Sequence, residues 1–107
     1  MRTFELRVYT LRTKEVLEFY KDTIYPRHLH SFPLFGVEAH GFWTAKADVA
    51  PRLFVLVSYT EGDDLGEVAQ RYMQSTEFAD EIRDFNTADI VGLETTALIP
   101  SASSPLK

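Results

Sequence analysis

From Thr3 to Leu11 the chain alternates. Phe4, Leu6 and Val8 fall on one side, and Glu5, Arg7 and Tyr9 on the other, with the period of two of a β-strand. The period then lengthens. Val16, Leu17, Tyr20 and Ile24 recur at spacings of three and four, which predicts a helix from Lys14 with Thr13 as its N-cap. Pro26 is expected to end or kink that helix near Ile24, because proline lacks an N–H and crowds the preceding turn. Residues 27–35, with Pro33, read as an irregular or part-helical connector.

Val37 to Ala45 and Arg52 to Thr60 read as two further strands, joined by 46–51, and the second is apolar on both faces. Glu61, Gly62 and Asp63 make a turn. Asp64 followed by Glu67 resembles a capping box, and Leu65, Val68, Ala69, Tyr72 and Met73 form a helical stripe. Ser75 restarts a short helix with Phe78, Ile82 and Phe85. Ile90 to Ile99 is the last strand. The expected organisation is one domain over residues 1–99 and an extended tail over 100–107, where three Ser and two Pro cluster.

Four strands and two helices in β-α-β-β-α-β order predict an α+β, ferredoxin-like fold with a four-stranded antiparallel sheet and both helices on one face. Phe4, Leu6 and Val8, with Val91, Leu93 and Ile99, are expected to meet the helices. The other face then carries Glu5, Arg7 and Tyr9, together with Glu38, His40 and Phe42, one of two greasy sets from the third strand (Phe54, Leu56 and Ser58, or Leu53, Val55 and Val57), and Gly92, Glu94 and Thr96. Apolar groups mixed with charge on a wet face are a liability. Pairing two such faces in a homodimer removes it and makes a dimeric α/β barrel. A monomer with an ordinary amphipathic face is the alternative. A one-residue bulge would swap the face sets of the second and third strands.

Composition narrows the function. Sixteen acidic against eleven basic residues give a net charge of −5, which disfavours nucleic acid and anionic membrane surfaces as partners. The chain has no cysteine, so thiolate catalysis, disulfides and cysteine metal sites are out. No apolar run approaches the roughly 20 residues a membrane helix needs, and Arg2, Glu5 and Arg7 interrupt any N-terminal apolar segment, so the cytoplasm is the expected compartment. No glycine-rich phosphate loop and no G-x-S-x-G elbow occurs.

Three segments carry a resemblance. The opening FELRVYTLRT, the GFWT of the second strand and the ending IVGLETTALIPSASSPLK resemble the NIPSNAP family, whose members begin with a YELR-x-Y-x-L strand, carry a glycine-aromatic-Trp segment and end in a strand, a Pro and an SPL-type tail. Glu5, Leu6, Arg7, Tyr9 and Leu11 match the first element, Gly41 to Thr44 the second, and Pro100, Ser104, Pro105 and Leu106 the third. Phe54 to Tyr59 stands where the family has a Trp in the third strand. The resemblance implies a ferredoxin-like barrel dimer, similar to small monooxygenases, polyketide cyclases and muconolactone isomerase-like enzymes, and carries no residue roles with it.

The residues themselves nominate a site. Arg7 and Tyr9 share a face and could hold a carbonyl or anionic oxygen, with Glu5 or Glu94 as the carboxylate a covered arginine requires. The same residues also read as an ion pair that fixes sheet register. His40 beside Glu38 is a candidate acid or base, or a strand histidine that only packs. Arg7, Tyr9, His40 and Glu94 are thus the candidate catalytic set. Glu38, Phe42, His28, Phe54 and Leu56 are the candidate substrate contacts. His28 and His30 could share a metal only in an extended segment, and no third ligand stands at a fixed spacing, so no metal and no cofactor is expected. The function these groups fit is cofactor-independent acid–base chemistry (isomerase, cyclase or monooxygenase-like) on an apolar, carbonyl-bearing small molecule. A non-catalytic binding or interaction module is the alternative.

Overall fold

The computed structural model describes all residues, 1–107. Strands β1 (Thr3–Leu11), β2 (Val37–Trp43), β3 (Arg52–Tyr59) and β4 (Ile90–Leu98) form one antiparallel sheet in the order β2-β3-β1-β4. Helices cover one face only. The α+β, ferredoxin-like architecture predicted from the element order is therefore the one found. No helix is long and apolar enough to cross a membrane.

The first helical arm runs from α1 (Lys14–Phe19) through a π-helical turn (Tyr20–Ile24) into α2 (Tyr25–Ser31). The Thr13 hydroxyl caps it by accepting from the amide of Val16. Pro26 does not end the helix. The Tyr25 amide donates to the Tyr20 carbonyl, five residues back, so the chain absorbs one extra residue ahead of the proline and restarts the α register with Pro26 in its first turn, where no N–H is needed. The connector continues as a short 3₁₀ turn (Phe32–Phe35) and ends on Gly36 at φ 76°, a left-handed position that suits glycine. The second arm is α3 (Leu65–Met73) and α4 (Thr76–Glu81), separately capped by Asp64 and Ser75 side chains as their sequence positions predict.

The face assignment of the first strand is reversed from expectation. Tyr9 and Leu11 on β1 and Leu53, Val55, Val57 and Tyr59 on β3 pack into one core with Leu17, Tyr20, Ile24, Tyr25, Val68 and Tyr72 from the helices. Strand alternation therefore places Glu5 and Arg7 on the helix side as well, and Phe4, Leu6 and Val8 on the open face. The aromatic rings decide this. Tyr9, Tyr20 and Tyr25 pack in a triangle with centroids 5.4, 5.7 and 5.9 Å apart, which fills more volume beneath the helices than Val8 could.

Two bulges move the remaining sets. On β2, Ala39 lies opposite Val57 and Gly41 opposite Leu56, so His40 is an extra residue. Beyond it the parity flips: Phe42 turns to the helix side, 5.2 Å from Tyr25, and Trp43 to the open face opposite Phe54. On β4, Thr10 pairs with Gly92 and Leu11 with Ile90, which leaves Val91 out of register. The expectation that Val91, Leu93 and Ile99 meet the helices fails. Leu93 lies opposite Tyr9 and so points to the helix side, but the helices stop short of β4 and it stays 53% exposed. Ile99 lies beyond the strand and is exposed.

Candidate functional site

Three polar clusters are built into this framework. The first lies between sheet and helices. On β1, Glu5, Arg7 and Tyr9 project toward the helices two residues apart. From β3, the Tyr59 hydroxyl reaches across to donate to Glu5 Oε1 at 2.7 Å and stands 2.6 Å from Arg7 Nη2. Arg7 Nε donates to the same Glu5 Oε1 at 2.7 Å. Glu5 Oε2 takes no hydrogen bond. Both charged side chains are only 13% exposed, so removing either would leave the other as a poorly solvated, unpaired charge. Burial opposes the guanidinium's charge, but the surrounding Tyr9, Tyr25 and Tyr59 and the Glu5 carboxylate outweigh it and push the Arg7 pKa up. Burial chiefly, with Arg7 opposing, pushes the Tyr59 phenol up to about 12.

This cluster has one incomplete position. The hydroxyl of Tyr25 is buried and makes no hydrogen bond, although Tyr9 and Arg7 are its polar neighbours. Arg7 Nη1 reaches only the Tyr9 hydroxyl, at 3.5 Å, a poor bond by length. The Tyr25 hydroxyl, which can donate or accept, and Arg7 Nη1 are thus the two incompletely bonded groups of the cluster. On the flank, Thr95 and Ala97 lie opposite Arg7 and Glu5 on β4 and are exposed, so the approach from that side is bounded by small side chains.

The second cluster joins the helices. His28 on α2 is buried, with Nδ1 2.7 Å from Glu81 Oε1 and 2.6 Å from the Tyr72 hydroxyl, and Tyr72 donates to the same carboxylate. The imidazole is stacked between Phe32 and Phe78, at 5.9 and 5.7 Å. Burial chiefly lowers its pKa, against the raising influence of Glu81. His28 and His30 sit in a helix, where residues two apart diverge, and His30 is exposed.

The third cluster is on the open face. His40 Nε2 is 2.8 Å from the Ser58 hydroxyl and 3.4 Å from Glu38. Arg2 reaches Glu38 at 2.8 Å and Ser58 at 3.3 Å. Phe4 lies under both the Arg2 guanidinium and the His40 ring, each 5.0 Å away. Burial chiefly lowers the His40 pKa, with Glu38 opposing.

The nominated residues are therefore divided by the sheet. Arg7, Tyr9, Phe42 and His28 lie on the helix side. His40, Glu38, Phe54, Leu56 and Glu94 lie on the open face, Glu94 opposite Val8. Glu94 is not the carboxylate of Arg7; Glu5 is. His40 and Glu94 cannot act on a group held by Arg7 within one chain. Tyr20, Tyr25 and Tyr59 are not among the nominated site residues; Tyr20 entered only as part of the helical stripe. Residues five apart stand about 140° apart on a regular helix, and only the π turn brings Tyr20 and Tyr25 to one side. Tyr59 could have been found, since it shares strand parity with Leu53, Val55 and Val57.

Two surface clefts also occur. One, of about 590 Å³, lies between residues 12–18 and 44–52; the other, of about 450 Å³, lies between the 3₁₀ turn and β2. Neither is lined by Arg7, Tyr9 or His40.

The NIPSNAP family model matches residues 4–105, and the chain belongs to that family. A search of curated proteins found no match. Among solved structures, a NIPSNAP family protein from Agrobacterium tumefaciens str. C58 is 19% identical over 100% of both chains, with a TM-score of 0.75. A dimeric ferredoxin-like protein from an uncultured marine organism is 12% identical over 100% of both chains, with a TM-score of 0.59. A putative antibiotic biosynthesis monooxygenase from Nitrosomonas europaea is 12% identical over 95% of this chain and 93% of that one, also at 0.59. At these identities the likeness is one of fold.

Proposed function

We propose that this member of the NIPSNAP family is a homodimer that binds a small apolar molecule on the helix side of its sheet and moves a proton on it without a cofactor. The observation that carries the reading is the Tyr25 hydroxyl, buried without a partner beside an arginine that is itself incompletely bonded. A buried polar group with no partner is unfavourable by about 1–3 kcal/mol, and a catalytic or ligand-binding role is one explanation for retaining it. A substrate oxygen placed between Tyr25 and Arg7 Nη1 satisfies both. Negative charge developing on that oxygen then meets prearranged donors. Glu5 Oε2, on the same face, takes the proton, so the role first given to His40 or Glu94 passes to Glu5. Tyr9 keeps its nominated role beside Arg7.

The open face supports the dimer. Leu6, Val8, Phe54 and Leu56 form its centre, with Trp43 and Leu98 exposed at its sides. A second copy against this face covers them and encloses His40, Glu38 and Glu94 between the sheets. The dimeric ferredoxin-like neighbour and the putative monooxygenase lend support at the level of fold alone.

Equilibrium binding of a naphthalene-sized probe to the wild type, Arg7→Ala and Tyr25→Phe proteins tests the reading. Wild-type binding that weakens in both variants is expected. Binding that is unchanged in both contradicts the site.

A further inference from the structure

We infer that the helix-side site takes an uncharged oxygen group, the carbonyl of an aromatic ketone or the hydroxyl of a phenol, and excludes carboxylates and phosphates. This rests on the site proposed above and specifies its ligand. Arg7 is the one cation of that cluster, and Glu5 already neutralises it at 2.7 Å, with both side chains largely out of water. The other groups facing the position are the hydroxyls of Tyr9, Tyr25 and Tyr59, which are neutral. Arg27 is committed to Asp84 and to the Glu81 carbonyl, and Lys21 to Glu18 and Asp22. An incoming carboxylate therefore leaves a net negative charge in a poorly solvated site, and burying a charge without its counter-charge is strongly unfavourable.

A neutral ligand keeps the balance at every stage. Its oxygen accepts from Tyr25 and from Arg7 Nη1. When a C–H or O–H of the ligand gives its proton to Glu5 Oε2, Glu5 becomes neutral, the ligand carries the electron pair as an oxyanion, and Arg7 exchanges one anionic partner for another. The total charge of the site does not change. The neighbouring rings favour a flat ligand, because Tyr25 packs edge-on against both Tyr9 and Tyr20 and offers an aromatic surface beside Arg7.

The test is isothermal titration of the full chain with acetylnaphthalene, naphthol and naphthoate, three probes of one size. The ketone and the phenol are expected to bind at least about tenfold more tightly than the acid, and Glu5→Gln, which frees the charge of Arg7, is expected to tighten naphthoate by about tenfold or more. Naphthoate binding to the wild type as tightly as the neutral probes overturns the inference while leaving the site in place. Binding of none of the three overturns the site reading and the inference together. The wild-type comparison decides the matter even if Glu5→Gln fails to fold.

Discussion

Arg7 Nε and Glu5 Oε1 lie 2.7 Å apart on one strand, and both side chains point under the helices rather than onto the open face of the sheet. Taking one partner from such a pair strands the other charge. Glu5→Ala is expected to destabilise the fold by about 3 kcal/mol, and Glu5→Gln by less, since the amide oxygen still accepts from Arg7. Urea unfolding of the two variants checks the order. Equal, small losses would mean that the pair contributes little.

Tyr25→Phe should separate stability from binding. Removing a buried hydroxyl that has no partner is expected to leave the empty protein as stable as before, or to stabilise it by about 1 kcal/mol. The same change is expected to weaken binding of a carbonyl probe. A loss of stability would show that the hydroxyl already has a structural partner.

Acid should weaken the helical cluster. Burial lowers the His28 pKa below its ordinary 6.5, and hydrogen bonds from Tyr72 and His28 hold the Glu81 carboxyl below its ordinary 4.5 against the opposing effect of burial. Both groups bind fewer protons folded than unfolded. Their stabilisation is therefore complete above 6.5 and is lost as the pH falls, first through the histidine range and then through the carboxylate range. His40 is shifted the same way. Unfolding midpoints are expected to drop from about pH 7.5 to about pH 5, and His28→Asn is expected to reduce that slope. A flat or rising wild-type profile contradicts the assignment.

Gly41 tests the open face. A Cβ there would lie 2.6 Å from two ring atoms of Trp43, so Gly41→Ala must move the indole. Trp43 is half exposed and can swing away. It is also the one tryptophan in the chain, so its emission reports the movement directly. The variant is expected to stay folded, to shift in fluorescence and to self-associate more weakly than the wild type, as sedimentation would show. Unchanged association would place the dimer contact elsewhere.

The element order, the caps at Thr13, Asp64 and Ser75, and the ferredoxin-like topology were legible in the sequence because each depends on neighbours a few residues apart. The faces of β1 were not. Phe4, Leu6 and Val8 look like a core set, but a sheet with helices on one side and an apolar open face on the other has no plainly wet side to mark which is which. The bulges at His40 and Val91 shift strand parity, and no composition rule foretells a one-residue insertion. The π turn hid Tyr25 for the same reason. His28, Tyr72 and Glu81 meet across 44 and 53 positions of chain, a distance that periodicity does not span. Arg7 and Tyr9 share a face, as residues two apart on a strand do, and His40 and Glu94 lie across the sheet from them.

The central claim is that the ligand site lies under the helices and the open face serves pairing. Following backbone amide shifts while acetylnaphthalene is titrated into the protein tests it most directly. Shifts are expected to concentrate at Arg7, Tyr25, Tyr59 and Thr95 and to leave His40, Trp43 and Leu56 unmoved. Shifts centred on His40, Trp43 and Leu56 would move the site to the open face and contradict the account.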